Sequence, residues 1–250
     1  MLFQERILKI MSLIEEKGTV KNADLIKILK ISEATIRRDL DYLEKKKKII
    51  RVRGGAILNR AITKVVTEEL SIDVKEDMEL ESKKEIAKIA SRFIENGDYI
   101  YLDAGTTTHQ LIEYLKDKKV KVVTNGLMHL EKLMAYDIDT CIIGGKVKKK
   151  TKAIVGTKAI EELSDFSFDK AFIGANGINE TNGFTTHDTE EALLKRKAIR
   201  QSIKSFVMVD STKFNISYFS NIAKLEEATI ITDKKDINER IFKLTQVINK

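Results

Sequence analysis

Apolar positions along the chain follow two regimes. Through the first 60 residues they recur three or four apart in short bursts, and from residue 80 onward brief apolar runs alternate with helical stretches. Ile7, Leu8, Met11, Leu13 and Ile14 predict a first helix ended near Gly18, and Thr19 and Val20 a short extended link. Ala23, Leu25, Ile26 and Leu29 turn inward on a second helix that Asn22 is placed to cap, with Lys30 and Ile31 making the turn. Ser32 then caps a third helix whose buried stripe is Ile36, Leu40 and Leu43, leaving Ala34, Thr35, Arg37, Arg38 and Asp41 on the opposite face. Ile49–Arg53 and Ala56–Leu58 flank the pair Gly54-Gly55 and read as a β-hairpin, with Arg51 and Arg53 alternating onto one face. Three helices, a short turn and a hairpin make a winged helix-turn-helix over residues 1–58.

Residues 59–79 are polar, lack a strong apolar period and read as a linker with some local structure. Beyond them Ile86, Ile89, Ala90, Phe93 and Ile94 line a helix closed by Gly97. Strands are predicted at 99–102, 121–124, 140–143, 170–174, 205–209 and 228–232, with helices between most of them. This alternation predicts an α/β domain with a largely parallel sheet over residues 80–250. Cys141, the single cysteine, falls in an apolar run and is expected in a buried strand, which excludes a disulfide framework.

Charge sharpens the division. The chain has 250 residues and a formal net charge of +7, all of it within residues 1–60; the remainder balances. A basic head on a neutral body points to nucleic acid. A helix with small residues at its start and two arginines one turn in suits a major groove, and arginines on a wing suit phosphates or a minor groove. The DNA-facing set is therefore Ser32, Ala34, Thr35, Arg37, Arg38, Arg51 and Arg53, while Asp39 is expected to fix neighbouring arginines. No apolar run reaches membrane-spanning length and the first residues are not a signal peptide, so a cytoplasmic protein without membrane partners is expected.

The run Ile31–Leu40 and the downstream Arg51–Ala56 resemble the winged helix-turn-helix of the DeoR family of bacterial transcriptional regulators. That resemblance implies that Thr35, Arg37 and Arg38 face DNA.

In the second domain the polar residues gather at strand ends, where open sheets bind ligands. Gly105, Thr106, Thr107 and Thr108 join a strand to a helix N-terminus, a natural seat for phosphate, although the spacing is not that of a Walker loop. Asn125 and Gly126, Asn176 and Gly177, and Lys213 end further strands, and Thr185, Thr186 and Asp188 precede a helix carrying Glu190 and Lys195. With Asp103 these fifteen positions form the expected effector site for a phosphorylated polyol. His187 is read as an exposed loop histidine, and the lysine run 146–152 as a solvated loop rather than a second nucleic-acid patch.

The same pieces resemble the DeoR family's C-terminal sensor domain, which is related in fold to ribose-5-phosphate isomerase. The resemblance implies a phosphorylated sugar effector, a homodimer or homotetramer, and a repressor of a sugar operon. Phe172–Ile178 looks most like members that control fructose or related phosphotransferase sugars, which makes fructose 1-phosphate the expected effector. An isomerase or deaminase is the rival class, drafting Glu190, Asp188 and Lys213 for proton transfer. Against it, no lysine occupies Gly183–Thr186, and a catalyst has no use for a basic head. His109, His129 and His187 are scattered and suggest neither a nucleophile relay nor a metal site, so no cofactor, metal or catalytic residue is expected. The other rival is a constitutive DNA binder, which leaves the sensor-like body without a task.

Overall fold

The computed structural model describes residues 3–46, 48–52, 54–58 and 71–249. The chain divides into two compact units, residues 1–66 and 67–250. Arg53 and residues 59–70 of the expected linker lie outside the described residues.

The first unit is a winged helix-turn-helix. Helices α1 (Phe3–Lys17), α2 (Asn22–Leu29) and α3 (Glu33–Lys45) pack around Ile10, Ile14, Leu25, Ile36 and Leu40, each fully buried. Between α2 and α3 the chain turns through Lys30 in a left-handed conformation (φ 52°). Strands β2 (Ile49–Val52) and β3 (Gly55–Leu58) form the hairpin, and the expected link at Thr19 is a third strand, β1 (Thr19–Lys21), paired with β3. The two glycines have separate reasons: Gly54 takes a positive φ of 82°, whereas a Cβ at Gly55 would stand 2.1 Å from the Val20 carbonyl oxygen. Asn22 is the first residue of α2 rather than its cap. Its N–H donates to Gly54 O at 2.8 Å, and its side-chain oxygen is buried without a hydrogen bond among the described residues.

The second unit is a three-layer α/β domain. It begins earlier than expected: residues 72–77, placed in the linker by their polarity, form helix α4 (Ile72–Asp77) with Ile72 buried. Helix α5 (Leu80–Ala90) leads into the alternating series β4 (Tyr99–Leu102), α6 (Thr106–Leu111), β5 (Lys121–Thr124), α7 (Leu130–Ala135) and β6 (Asp139–Ile142). A hairpin of β7 (Lys146–Lys148) and β8 (Ala153–Val155) follows, then α8 (Thr157–Leu163) and β9 (Phe168–Gly174). Strands β10 (Gly177–Asn179) and β11 (Gly183–Thr186) precede α9 (Thr189–Arg200) and β12 (Ser202–Met208). The chain ends with β13 (Ser220–Ala223), β14 (Thr229–Ile231), α10 (Glu239–Leu244) and β15 (Val247–Ile248).

Seven strands form one parallel sheet in the order β15-β14-β12-β9-β4-β5-β6. Successive side chains along a strand face opposite layers, so Ile100 and Leu102 pack with Ile86, Leu111 and Leu133 while Tyr101 packs with Leu163, Phe168 and Ile173. Both faces are covered, which explains why these strands read as nearly continuous apolar runs. Cys141 lies on the edge strand β6 and is half-buried rather than buried. From β4 the chain runs outward through β5 and β6, then returns to place β9 on the other side of β4. The strand order therefore reverses between β4 and β9, and the crevice at their carboxyl ends is where such sheets take ligands.

Candidate functional sites

On the head, the sequence positions the side chains expected to face DNA through one cap and several ion pairs. The Ser32 hydroxyl accepts from Thr35 N at 3.3 Å and lies 2.9 Å from Thr35 Oγ1, so both residues are engaged in starting α3. Ala34, Arg37 and Arg38 are exposed along the helix. Arg37 Nη2 sits 2.7 Å from Glu33 Oε1, one turn back. Asp39 is buried, and Arg6 of α1 grips it with Nε and Nη2 at 2.6 and 2.9 Å. It therefore fixes an arginine of another helix rather than its sequence neighbours, with the carboxylate hydrogen bond raising the Arg6 pKa. Arg51 is also spent internally. Its Nη1 reaches the Asp41 carboxylate and lies 3.4 Å from Arg37 O, while its backbone N–H donates to Glu44 Oε1 at 2.9 Å. Arg51 thus braces the wing against α3.

In the second unit the crevice at the strand-order reversal opens into a cavity of about 560 Å³. Of the fifteen expected effector positions it is lined by seven: Asp103, Gly105, Thr106, Thr107, Asn176, Lys195 and Lys213. Asp103 ends β4 and is almost fully buried; its Oδ2 accepts Gly174 N at 2.9 Å and the Lys195 ammonium. Lys195 comes from α9, so this buried pair ties β4, β9 and α9 together at the floor. Thr106 and Thr107 open α6, whose first N–H groups have no partner within the helix. Asn176 is held by Thr186 Oγ1 at 3.0 Å, and Lys213 Nζ lies 3.5 Å from Asp210 Oδ2.

The other eight expected positions stand outside this lining and support it. Thr108 Oγ1 donates back to Asp103 O at 2.6 Å and contacts Gly105 O at 2.9 Å, fixing the turn. Asn125 is buried: its Oδ1 accepts Tyr101 Oη and Ala104 N at 3.0 and 2.8 Å, and its amide donates to Ile154 O at 3.1 Å. Burial, aided by the charges of Asp103 and Glu191, pushes the Tyr101 phenol well above its ordinary pKa and keeps it neutral. Gly126 and Gly177 are steric necessities. A Cβ on Gly126 would meet the His129 ring at 2.8 Å, and one on Gly177 would meet Ile216 O at 2.5 Å. Thr185 and Thr186 are buried in the central strand of the small antiparallel sheet β10-β11-β13, Thr185 accepting Tyr218 N at 3.0 Å. Asp188 caps α9, accepting Glu191 N at 2.9 Å, and pairs with Lys148 at 3.2 Å. Burial pushes the Asp188 carboxyl up, but those partners hold it below its ordinary value. Glu190 pairs with Lys146 at 3.1 Å.

The lysine run is a hairpin rather than a loop, and Lys146, Lys149, Lys150 and Lys152 are exposed as expected; Lys146 and Lys148 reach carboxylates of α9 and its cap, and Lys152 pairs with Asp73 at 2.6 Å. His187 is half-buried, lines the cavity and packs on the Tyr218 ring at 3.9 Å between centroids. His109 and His129, whose spacing in the sequence matches no relay pattern, stack at 5.5 Å behind the Gly105 turn. Among the described residues no group of His, Cys, Asp and Glu could hold a metal ion.

Lys75, Glu79, Lys83, Thr151, Glu191, Asp210, Thr212 and Tyr218 also line the cavity and were not among the expected positions. Asp210 sits in the strand-end motif Asp210–Lys213, which is signal enough in retrospect. Lys83 lies within a helix whose polar face carried no mark. It is almost fully buried, burial lowers its pKa, and its ammonium donates to the carbonyls of Lys75 and Met78. The lining thus brings Lys75, Lys83, Lys195 and Lys213 against Glu79, Asp103, Glu191 and Asp210, a balanced set.

A family model described as the DeoR C terminal sensor domain matches residues 78–234, and one described as a DeoR-like helix-turn-helix domain matches residues 6–76. The chain is 43% identical over 235 residues, 93% of its length and 91% of the relative's, to the uncharacterized HTH-type transcriptional regulator FruR of Bacillus subtilis (strain 168). It is 31% identical over 251 residues, 98% of each protein, to the lactose phosphotransferase system repressor of Staphylococcus epidermidis. Among solved structures, ribose 5-phosphate isomerase A of Methanocaldococcus jannaschii superposes with a TM-score of 0.40 at 19% identity over 53% of each chain.

Proposed function

The chain belongs to the DeoR family of transcriptional regulators, and from that premise we propose that it represses a sugar-metabolism operon under the control of a phosphorylated sugar. The head binds double-stranded operator DNA through α3, with Ser32, Ala34, Thr35, Arg37 and Arg38 at the groove and Arg51 and Arg53 on the wing. The sensor unit binds the phosphosugar in its cavity. The observation that carries this reading is the cavity's position and lining. It lies at the strand-order reversal, pairs the Gly105–Thr107 helix start with lysine side chains, and belongs to the same chain as a helix-turn-helix.

The effector phosphate sits on Gly105–Thr107, with Lys213 beside it and Asn176 and the acidic groups Asp210 and Glu191 facing the sugar hydroxyls. The Phe172–Ile178 motif makes fructose 1-phosphate the first ester to test. Heads paired in a homodimer or homotetramer read half-sites spaced by about 34–36 Å or a multiple. A coupling of about 1–3 kcal/mol between the two sites changes DNA affinity roughly 5–150-fold. The protein acts where the chromosome is, in the cytoplasm; among its described residues no helix is long and apolar enough to cross a membrane.

The isomerase reading loses its residues. Of the three groups it would draft, Asp188 is engaged as a helix cap, Glu190 with Lys146, and only Lys213 lines the cavity.

The test is thermal shift of the full chain against fructose 1-phosphate, fructose 1,6-bisphosphate, glycerol 3-phosphate and tagatose phosphates, with free sugars and an isomerase turnover assay as controls. One phosphate ester at about 100 times its Kd should add about 2.7 kcal/mol to stability, with no turnover. Turnover, or stabilisation by free sugars alone, refutes the reading.

A further inference from the structure

Lys83 projects from α5 into the cavity wall and is 4% exposed. Its ammonium donates to the carbonyls of Lys75 and Met78, at and just past the last turn of α4. Those carbonyls belong to a helix end, where the backbone leaves acceptors without intrahelical donors, and a lysine is a fitting cap. The junction that follows is unusual. Met78 is extended (φ −72°, ψ 132°), and Glu79, a non-glycine residue, is left-handed (φ 52°, ψ 36°). At its other end the segment is anchored by Ile72, whose N–H donates to Lys150 O at 2.9 Å. Residues 72–79 thus form a strap along one wall of the cavity, fastened at Ile72 and clamped by Lys83.

We propose that Lys83 is the point at which an anionic effector competes with this strap: the ligand's phosphate draws the Lys83 ammonium from the two carbonyls, and the end of α4 is released. The proposal rests on the reading of the cavity as a phosphosugar site and names its regulation. Among the lysines of the lining, Lys83, Lys195 and Lys213 differ in what already holds them. Lys195 is locked on Asp103, and Lys213 lies beside Asp210, so each is already satisfied by a carboxylate. Lys83 is hydrogen-bonded to carbonyl dipoles and, among the described residues, to no carboxylate, and a phosphate adds the full opposite charge that a dipole lacks. Burial, the largest influence on Lys83, disfavours its charged form, and a dianion in the cavity relieves that penalty. Lys83 therefore gains more from an arriving anion than either of the other two. Phosphorylated sugars can make the exchange and free sugars cannot. The strap is also among the first described residues of the sensor unit.

Amide hydrogen exchange on the full chain tests this, with fructose 1-phosphate and then the other esters of the panel as probes and melting temperature followed on the same samples. The expected result is a raised melting temperature together with at least about 5-fold faster exchange in peptides covering 72–79. In Lys83→Met the same peptides exchange fast without ligand, and the probe changes them less than about 2-fold. A raised melting temperature with exchange in 72–79 unchanged or slowed in the wild type overturns the strap and leaves the sensor reading standing. No melting shift with any ester overturns the sensor reading and the strap with it. Should Lys83→Met fail to fold, the wild-type exchange alone decides.

Discussion

Replacing His129 with asparagine should remove a large part of the acid sensitivity of the sensor unit. His129 is fully buried behind the Gly105 turn, its Nδ1 3.1 Å from Thr124 Oγ1 and its Nε2 3.4 Å from Gly105 O. The Thr124 hydroxyl gives its proton to Leu102 O at 2.5 Å, so Nδ1 is the donor in the pair it makes with Thr124. Burial first, then the charge of stacked His109, hold His129 down from 6.5 to about 3. Burial and the nearby Lys132 hold His109 at about 4. Both pKa values are lower in the folded state, so the unfolded chain binds more protons below 6.5. The stabilising contribution is complete above pH 6.5 and is lost as pH falls from 6.5 toward 4 and 3. At pH 5 the loss is about 2 kcal/mol for His129, from about 1.5 pH units at about 1.4 kcal/mol each. Half-buried His109 is screened and adds roughly half as much. An asparagine amide in place of the imidazole can keep the donor to Thr124 but cannot titrate. At about 2–4 °C per kcal/mol the melting gap between wild type and His129→Asn should narrow by about 4–8 °C between pH 7.5 and pH 5. Differential scanning fluorimetry across that range measures it, and a gap constant to about 1 °C refutes the assignment of a neutral, buried imidazole.

Other consequences follow from the same geometry. Arg37→Ala should weaken operator binding about 5–150-fold by gel shift while leaving the ligand-induced melting shift intact, and Thr107→Val should do the reverse. Reversed phenotypes would overturn the division of labour between the two units. Asp41→Asn should free Arg51 and tighten binding to a random duplex of about 30 bp by about 3–10-fold, with a log–log salt slope steeper by about 1. That gain must vanish in an Arg51→Gln background, because it acts through Arg51; persistence there would mean a generic charge effect. Gly177→Ala forces a Cβ against Ile216 O, so it should lower the melting temperature by several degrees even without ligand; a neutral effect would mean that the small sheet shifts freely.

What could be read in the sequence was what local pattern alone determines. The cap at Ser32, the stripe Ile36, Leu40 and Leu43, and the double glycine specify α3 and the wing with no help from distant residues. The parallel strands were legible because burial on both faces writes itself as apolar runs. Elements owed to partners were not. Strand β1 has three residues and exists because β3 lies beside it, and Gly183–Thr186 reads as a loop until β10 and β13 bracket it. The site suffered from phase. On α9 adjacent residues point about 100° apart, so choosing Glu190 over Glu191 selected the side chain paired with Lys146 over the one lining the cavity. The Asp188 cap sets that phase, and only the folded turn shows it. Lys83 was hidden for a related reason: a lysine on a helix is usually solvated, and what buries this one is a segment whose own polarity disguised it as linker.

The balance of charge in the cavity carries the selectivity one step further. Four lysines face four carboxylates among the described residues, and a sugar without phosphate leaves every ion pair as it was, gaining only hydrogen bonds that it exchanges for water. A phosphate ester brings about two negative charges to this balanced set, so on the proposed reading its binding draws on the α6 N–H groups and on cations not buried with a carboxylate. The Asp103–Lys195 pair is too deep to exchange, since separating it strands a buried carboxylate. On the proposed reading the excess charge falls on the α6 N–H groups and on the lining lysines other than Lys195. Of these groups Lys83 is the one whose ammonium also holds the carbonyls of residues 75 and 78 of the strap. Recognition of the phosphate and movement of the strap are therefore one event on this reading. A variant at Lys83 should therefore lose phosphate affinity and the strap's response together, whereas one among the threonines of the Gly105 turn should weaken binding and leave the strap clamped in the absence of ligand.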